Sequence, residues 1–314
     1  MAEVLCLGET MALVAPAEPV ALEVAESFTL AAGGAESNVA VHLAALGHRV
    51  EWASRLGADP LGRRLLAAVE RAGVGTGPVE IRSDAPTGVY FKDPGPDGTT
   101  VHYYRAGSAA STMDENFLSD EQVEQPRLLH LSGITPALSA GCDRLVRRLL
   151  RRRGPVSFDV NHRPALWPAE QAAGPLRELA QQADIVFVGL DEATALWGVR
   201  TAEDVRRELD RPRTVVVKDA ANTATAFGEA VAVVPAPKVE VVEPVGAGDA
   251  FAAGYLSGLL RGDDGVRRLR RGHLLAAHSL LSTEDHSTPP DAESIAEWLA
   301  CDDRTWNDLS FSAG

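Results

Sequence analysis

Cysteine is scarce. Cys6, Cys142 and Cys301 are odd in number and have no metal-ligand spacing, so they are expected to be reduced thiols in a cytosolic protein. A basic excess is missing too: 30 Lys and Arg against 44 Asp and Glu leave a net charge of −14, which argues against nucleic acid or an anionic membrane surface as a partner. Any anionic ligand must therefore be met by locally placed cations. No apolar run approaches the roughly 18 residues of a membrane span, and Val4 to Leu7 opens a strand where a signal peptide would need a basic start. The turn after that strand, Gly8-Glu9-Thr10-Met11, lacks the Gly-x-Gly-x-x-Gly of a dinucleotide-binding dehydrogenase. No internal repeat or low-complexity linker divides the chain, whose 314 residues suffice for one large α/β core or two modest ones.

What is present is alternation. Strands are predicted at Leu128 to Leu131, Val156 to Asp159, Ile185 to Val188 and Thr214 to Lys218, with helices between them at 138–153, 169–182 and after Asp191. Such alternation implies a mostly parallel sheet covered on both faces, with ligands at the carboxyl ends of its strands. Val50 to Leu56 is a further strand, and Asp59-Pro60 caps a helix that stops at Gly73. Residues 12–31, broken by Pro16 and Pro19, form short alternating pieces. Thr87 to Lys92 and Thr99 to Arg105, joined by Asp93-Pro94-Gly95-Pro96-Asp97-Gly98, read as a hairpin; together these suit a small half-exposed sheet. Thr225 to Phe227, Ala230 to Val234 and Val239 to Val242 read as a short antiparallel set, and helices at 249–261, 271–282 and 291–300 close the chain. Two arginine clusters, 147–153 and 267–271, are expected on solvated surface.

Chemistry concentrates at Pro244-Val245-Gly246-Ala247-Gly248-Asp249-Ala250-Phe251. An apolar run ends at Val242, two glycines follow, and a small-residue helical pattern starts at Asp249. A helix N-terminus behind glycines is an anion site, because the N–H groups of its first turn lack intrahelical partners and the dipole favours negative charge. Asp249 has an ordinary explanation as a helix-start carboxylate. Beside a phosphate it would repel the ligand unless it had another task, and accepting a proton from an attacking hydroxyl is such a task.

Gly246-Ala247-Gly248-Asp249 resembles the C-terminal signature of the ribokinase-like, or PfkB-type, sugar kinases. Their second signature is matched by Gly33-Gly34-Ala35-Glu36-Ser37-Asn38-Val39-Ala40, roughly 200 residues earlier. The resemblance implies a single ribokinase-like domain over 1–314: a three-layer α/β/α fold with a mostly parallel sheet and a small β-sheet lid from about 12–31 and 87–105. It implies an ATP-dependent enzyme using Mg²⁺, with Asp249 as catalytic base, the Gly246, Ala247 and Gly248 amides as anion hole, and Gly33, Gly34 and Asn38 at the sugar. Asn161, Lys218, Gly246, Gly248 and His278 would serve ATP, and Glu192 would organise the metal through water. In relatives an asparagine precedes that glutamate in Asn-x-x-Glu; here Gly189 stands in its place. Ala220 and Thr223 occupy glycine positions of the nucleotide loop, and alanine at positive φ costs about 1 kcal/mol or somewhat more, which predicts a shifted loop.

Tyr103-Tyr104-Arg105 and Asn161-His162-Arg163-Pro164 look like segments of the 2-keto-3-deoxygluconate kinases within that family. They imply Tyr90, Tyr104, Arg105 and Arg163 as sugar-acid ligands, a guanidinium fork being well shaped for a carboxylate. Fructose or another hexose is the first alternative substrate, and a non-catalytic sugar or nucleotide sensor the alternative of another class. The lid sheet, by the same resemblance, would pair two copies into a homodimer.

Overall fold

Seven mostly apolar segments lie side by side in parallel, and every connection from one of them to the next includes a helix that carries the chain back across the sheet. The computed structural model describes residues 2–95, 98–282 and 289–312. Its main sheet has nine strands in the order Val231–Pro235, Thr223–Phe227, Thr214–Asp219, Ile185–Gly189, Val156–Asp159, Leu128–Ser132, Val4–Leu7, Val50–Gly57 and Val79–Arg82. The last seven are parallel, and the first two form an antiparallel hairpin on the edge. One apolar cluster fills each side of the sheet: Trp52, Phe187, Phe251 and Tyr255 on one, Leu145, Phe158, Leu176 and Val186 on the other. Strand order reverses direction around Val4–Leu7, and the crevice at such a switch point is where open α/β sheets bind ligands.

A separate four-stranded sheet runs in the order Phe28–Gly33, Met11–Pro16, Val89–Gly95, Gly98–Tyr104. Its inner face carries Met11, Leu13, Tyr90 and Tyr103. The hairpin strands reach further into the connection than predicted, Gly95 pairing with Gly98; Pro96 and Asp97 of that turn lie outside the described residues.

Several boundaries moved. The helix read as starting at Asp249 is Ala247–Arg261, because Gly246 at φ +86° already turns the chain. The helix read as starting at residue 271 begins at Gly265, capped by Asp264, so arginines 267–271 are helical. They are also not all solvated: Arg270 pairs with Asp303 at 2.6 Å and stacks on Trp306, and Arg271 pairs with Asp263 at 2.8 Å. Arg152 likewise is buried, its Nη1 donating to the carbonyl of Pro155 at 3.2 Å. The predicted strand at Val239 to Val242 is reduced to Lys238–Val239, which pairs with Ser310–Phe311. The C-terminal segment therefore docks, with Trp306 buried and its Nε1 donating to the carbonyl of Pro235.

Candidate active site

A cavity of about 820 Å³ opens at the carboxyl ends of the parallel strands, under the inner face of the small sheet. Asp249, in the first turn of Ala247–Arg261, is half-buried on its wall, and Asn38 Nδ2 donates to Asp249 Oδ2 at 2.9 Å. The two glycine-rich signatures thus meet through one hydrogen bond between residues 211 apart in sequence. Burial pushes the Asp249 carboxyl up to about 7, with Asp159 adding to the rise and Asn38, Arg163 and Lys218 opposing it. Gly246 supplies the left-handed conformation that starts the helix, so the following amides form its open first turn. A Cβ on Gly248 would lie 3.5 Å from Lys218 Nζ, which places an ammonium group beside those amides.

Strand ends provide the charged floor. Lys218, in Thr214–Asp219, donates to Asp159 Oδ2 at 3.1 Å. Burial works to lower the Lys218 ammonium, but Asp159 and Glu192 outweigh it and hold it above its ordinary value. Glu192 accepts from the backbone N–H groups of His162 and Gly189, both at 2.8 Å, so it rather than Asp191 ties off the start of Leu190–Trp197. Burial and the neighbouring Asp159 raise its carboxyl. Asp159 Oδ1 is buried with no partner among the described residues, an oxygen left over for a cation or a proton.

The sugar-side expectations divide. Gly33 and Gly34 line the cavity, and a Cβ on Gly34 would fall 2.3 Å from the Glu9 carbonyl oxygen, so only glycine allows that approach. Tyr90 is buried on the inner face, its ring 5.8 Å from that of Tyr103. Tyr104 is not in the cavity: it pairs with Val89 on the opposite face, stacks on Phe91 and is 68% exposed. Adjacent strand residues point to opposite faces, and the register puts Tyr103 inside. Arg105 does line the cavity, but its guanidinium is already held by Glu9, Nε to Oε2 at 2.7 Å, with Ser108 on the other carboxylate oxygen. Arg163 lines the cavity from the surface loop after Val156–Asp159, donating to the carbonyl of its neighbour His162.

On the nucleotide side, Asn161 is buried at φ +39° and lines the cavity with Lys218. Ala220 lines it as well and sits at φ +41°, so the loop has kept the left-handed turn and carries the strain instead of shifting. His278 lies elsewhere, with its ring packed against Trp298 and Phe311. Glu9, Lys92, Tyr103 and Asp159 were missed as cavity residues. Glu9 and Asp159 had a signal, since each stands at the carboxyl end of a strand.

A parallel sheet with a lid, and a carboxylate beside a helix-start amide cradle between them, define a phosphotransferase that acts on an alcohol group. The chain belongs to the PfkB family of carbohydrate kinases, whose model matches residues 1–292. It is 34% identical over 305 residues to a 2-dehydro-3-deoxygluconokinase of Bacillus subtilis (strain 168), covering 93% of this chain and 94% of that protein. Among solved structures it is similar to a PfkB protein from Polaromonas sp. JS666, with a TM-score of 0.85 and 36% identity over 96% of this chain and all of that one. A fructokinase with bound ATP from Xylella fastidiosa gives 0.83 and 26% over 95% and 98% of the two chains. The fold is ribokinase-like. Among the described residues no helix is long and apolar enough to cross a membrane.

Proposed function

We propose that this enzyme phosphorylates 2-keto-3-deoxygluconate (2-dehydro-3-deoxygluconate) at its 6-hydroxyl with ATP. The observation that carries the reading is the Asn38-oriented carboxylate of Asp249 beside the first-turn amides. In the step itself, the acceptor hydroxyl gives its proton to Asp249 as its oxygen bonds the γ-phosphorus. The bond from that phosphorus to the bridging oxygen breaks, and ADP departs. The Gly246, Ala247 and Gly248 amides and Lys218 take up charge on the moving group.

Magnesium fits as a companion of the nucleotide. Among the described residues no three acidic, histidine or cysteine side chains form a cage for it, while Asp159 and Glu192 offer carboxylate oxygens toward the cavity. It would supply neutralisation of phosphate charge. Asn161 and Glu192 would orient what it brings.

The pH dependence has a definite sign. A base must be ionised, and Asp249 is raised to about 7, so kcat/KM is expected to fall about tenfold per pH unit below that value and to level off above it. A profile flat down to pH 5 would remove Asp249 from the proton transfer.

The acid sugar is supported by the relative from Bacillus subtilis. A neutral ketohexose such as fructose is the second reading, favoured by the pairing of Arg105 with Glu9, since the pair as a whole presents little net charge to a carboxylate. Arg163 is then the cation for a carboxylate, and Arg163→Ala should raise KM about tenfold or more for the acid sugar and much less for fructose, as loss of a charge-assisted hydrogen bond predicts. ADP formation against a panel of ketoses and sugar acids tests both readings; turnover of fructose alone would displace the first.

The chain would act as one kinase domain in the cytoplasm, where the buried thiols of Cys6 and Cys142 stay reduced. The outer lid face exposes Phe28, Leu30 and Tyr104, an apolar patch suited to pairing with a second copy. Light scattering should give the mass of a dimer, and a monomer at micromolar concentration would refute the pairing.

A further inference from the structure

We propose that Lys92 and Glu243 form a latch through which the lid readies the amide cradle. Lys92 acts as a positioning residue that cancels the charge of Glu243, so the cradle accepts a phosphate fully only when the lid is down. The inference rests on the kinase reading and adds a control to it. Lys92 follows Tyr90 by two residues and shares its inward face, buried to 5% exposure and lining the same cavity as Asp249. Its ammonium lies 3.3 Å from Glu243 Oε2, linking the lid hairpin to a segment 151 residues away. The other oxygen, Glu243 Oε1, accepts the N–H of Val245 at 3.2 Å, immediately before the left-handed Gly246. One carboxylate therefore fastens both the lid and the backbone that aims the cradle.

A half-buried carboxylate so near an anion site is unfavourable for phosphate binding unless a cation compensates it. That cation comes from the lid. Lifting the lid would expose the negative charge of Glu243 to the incoming phosphate, which makes transfer to water without sugar slow. The other lid cation, Arg105, cannot do this, because Glu9 ties it to the end of the first strand instead.

The signs of the variants separate this role from direct contact with substrate. Lys92→Met should lower kcat/KM about tenfold to a hundredfold, and adding Glu243→Gln should recover most of that loss, the range expected for a coupled charged pair. Glu243→Gln alone should raise ATP hydrolysis without sugar several-fold. A double variant no better than Lys92→Met, or a Lys92→Met enzyme within about twofold of the parent, would overturn the latch. Amide hydrogen exchange gives a readout independent of turnover: protection in residues 89–95 should drop in Glu243→Gln and hold in Lys92→Arg. Unchanged protection in Glu243→Gln would also overturn it. If the parent formed no ADP with any ketose or sugar acid of the panel, the kinase reading would fall by itself, and exchange would still decide on the latch.

Discussion

Replacing Asp249 by asparagine is expected to cut turnover about 10²- to 10⁴-fold, the usual contribution of a general base, while ATP and sugar still bind. Asparagine keeps the size of the side chain, leaving the Asn38 contact and the helix start intact, so affinity measured by calorimetry should change little. The same substitution should stabilise the fold. The folded carboxyl, raised to about 7, holds its proton more tightly than an unfolded one near 3.8, so stability contributed at low pH is lost as pH rises between those values. At pH 8 the variant should melt a few degrees higher than the parent, about 2 to 4 °C for each kcal/mol regained, and the advantage should vanish near pH 4. A variant that lost turnover and also melted lower would have been damaged structurally.

The second large effect is at Gly246. Its φ of +86° is closed to an L-residue without strain, so Gly246→Ala must either carry about 1 to 2 kcal/mol of backbone cost or re-aim the amides that follow. Where the amides are re-aimed, losing one well-aimed donor to a transition-state oxyanion costs about 10²- to 10³-fold. We expect kcat to fall by that range with the KM for sugar within a few-fold. The contrast with Ala220, a non-glycine residue that bears φ +41° in the same cavity, makes the test informative. If Gly246→Ala kept full activity, the cradle would tolerate the strain as the 220 loop does, and amide aiming would not be limiting.

How far the sequence carried varied with the range of the interaction involved. Local signals were readable: Asp59 does cap its helix through Gly62, and six of the seven parallel strands fall on the apolar runs that predict them, Val79–Arg82 being the exception. The two glycine-rich stretches announced a shared site, and Asn38 and Asp249 are indeed in contact. Register was not readable. Two tyrosines in succession give no hint of which faces inward, because that depends on how the Val89–Gly95 and Gly98–Tyr104 strands pair, and the pairing turns Tyr103 inward and Tyr104 outward. Long-range charge pairing was equally hidden. Nothing near Arg105 or Arg270 in sequence points to Glu9 or Asp303, so one was read as an available ligand and the other as a solvated surface group. The surroundings of His278 were hidden for the same reason, its neighbours Trp298 and Phe311 being set by how the C-terminal segment folds back.

A crystal structure with the sugar acid and a non-hydrolysable ATP analogue tests the central claim most directly. The account predicts the 6-hydroxyl oxygen within hydrogen-bond distance of an Asp249 carboxylate oxygen, about 2.6 to 3.2 Å, with the terminal phosphate on the Gly246 to Gly248 amides. A sugar whose hydroxyls all lie away from Asp249, or a terminal phosphate bound outside that helix start, would contradict it.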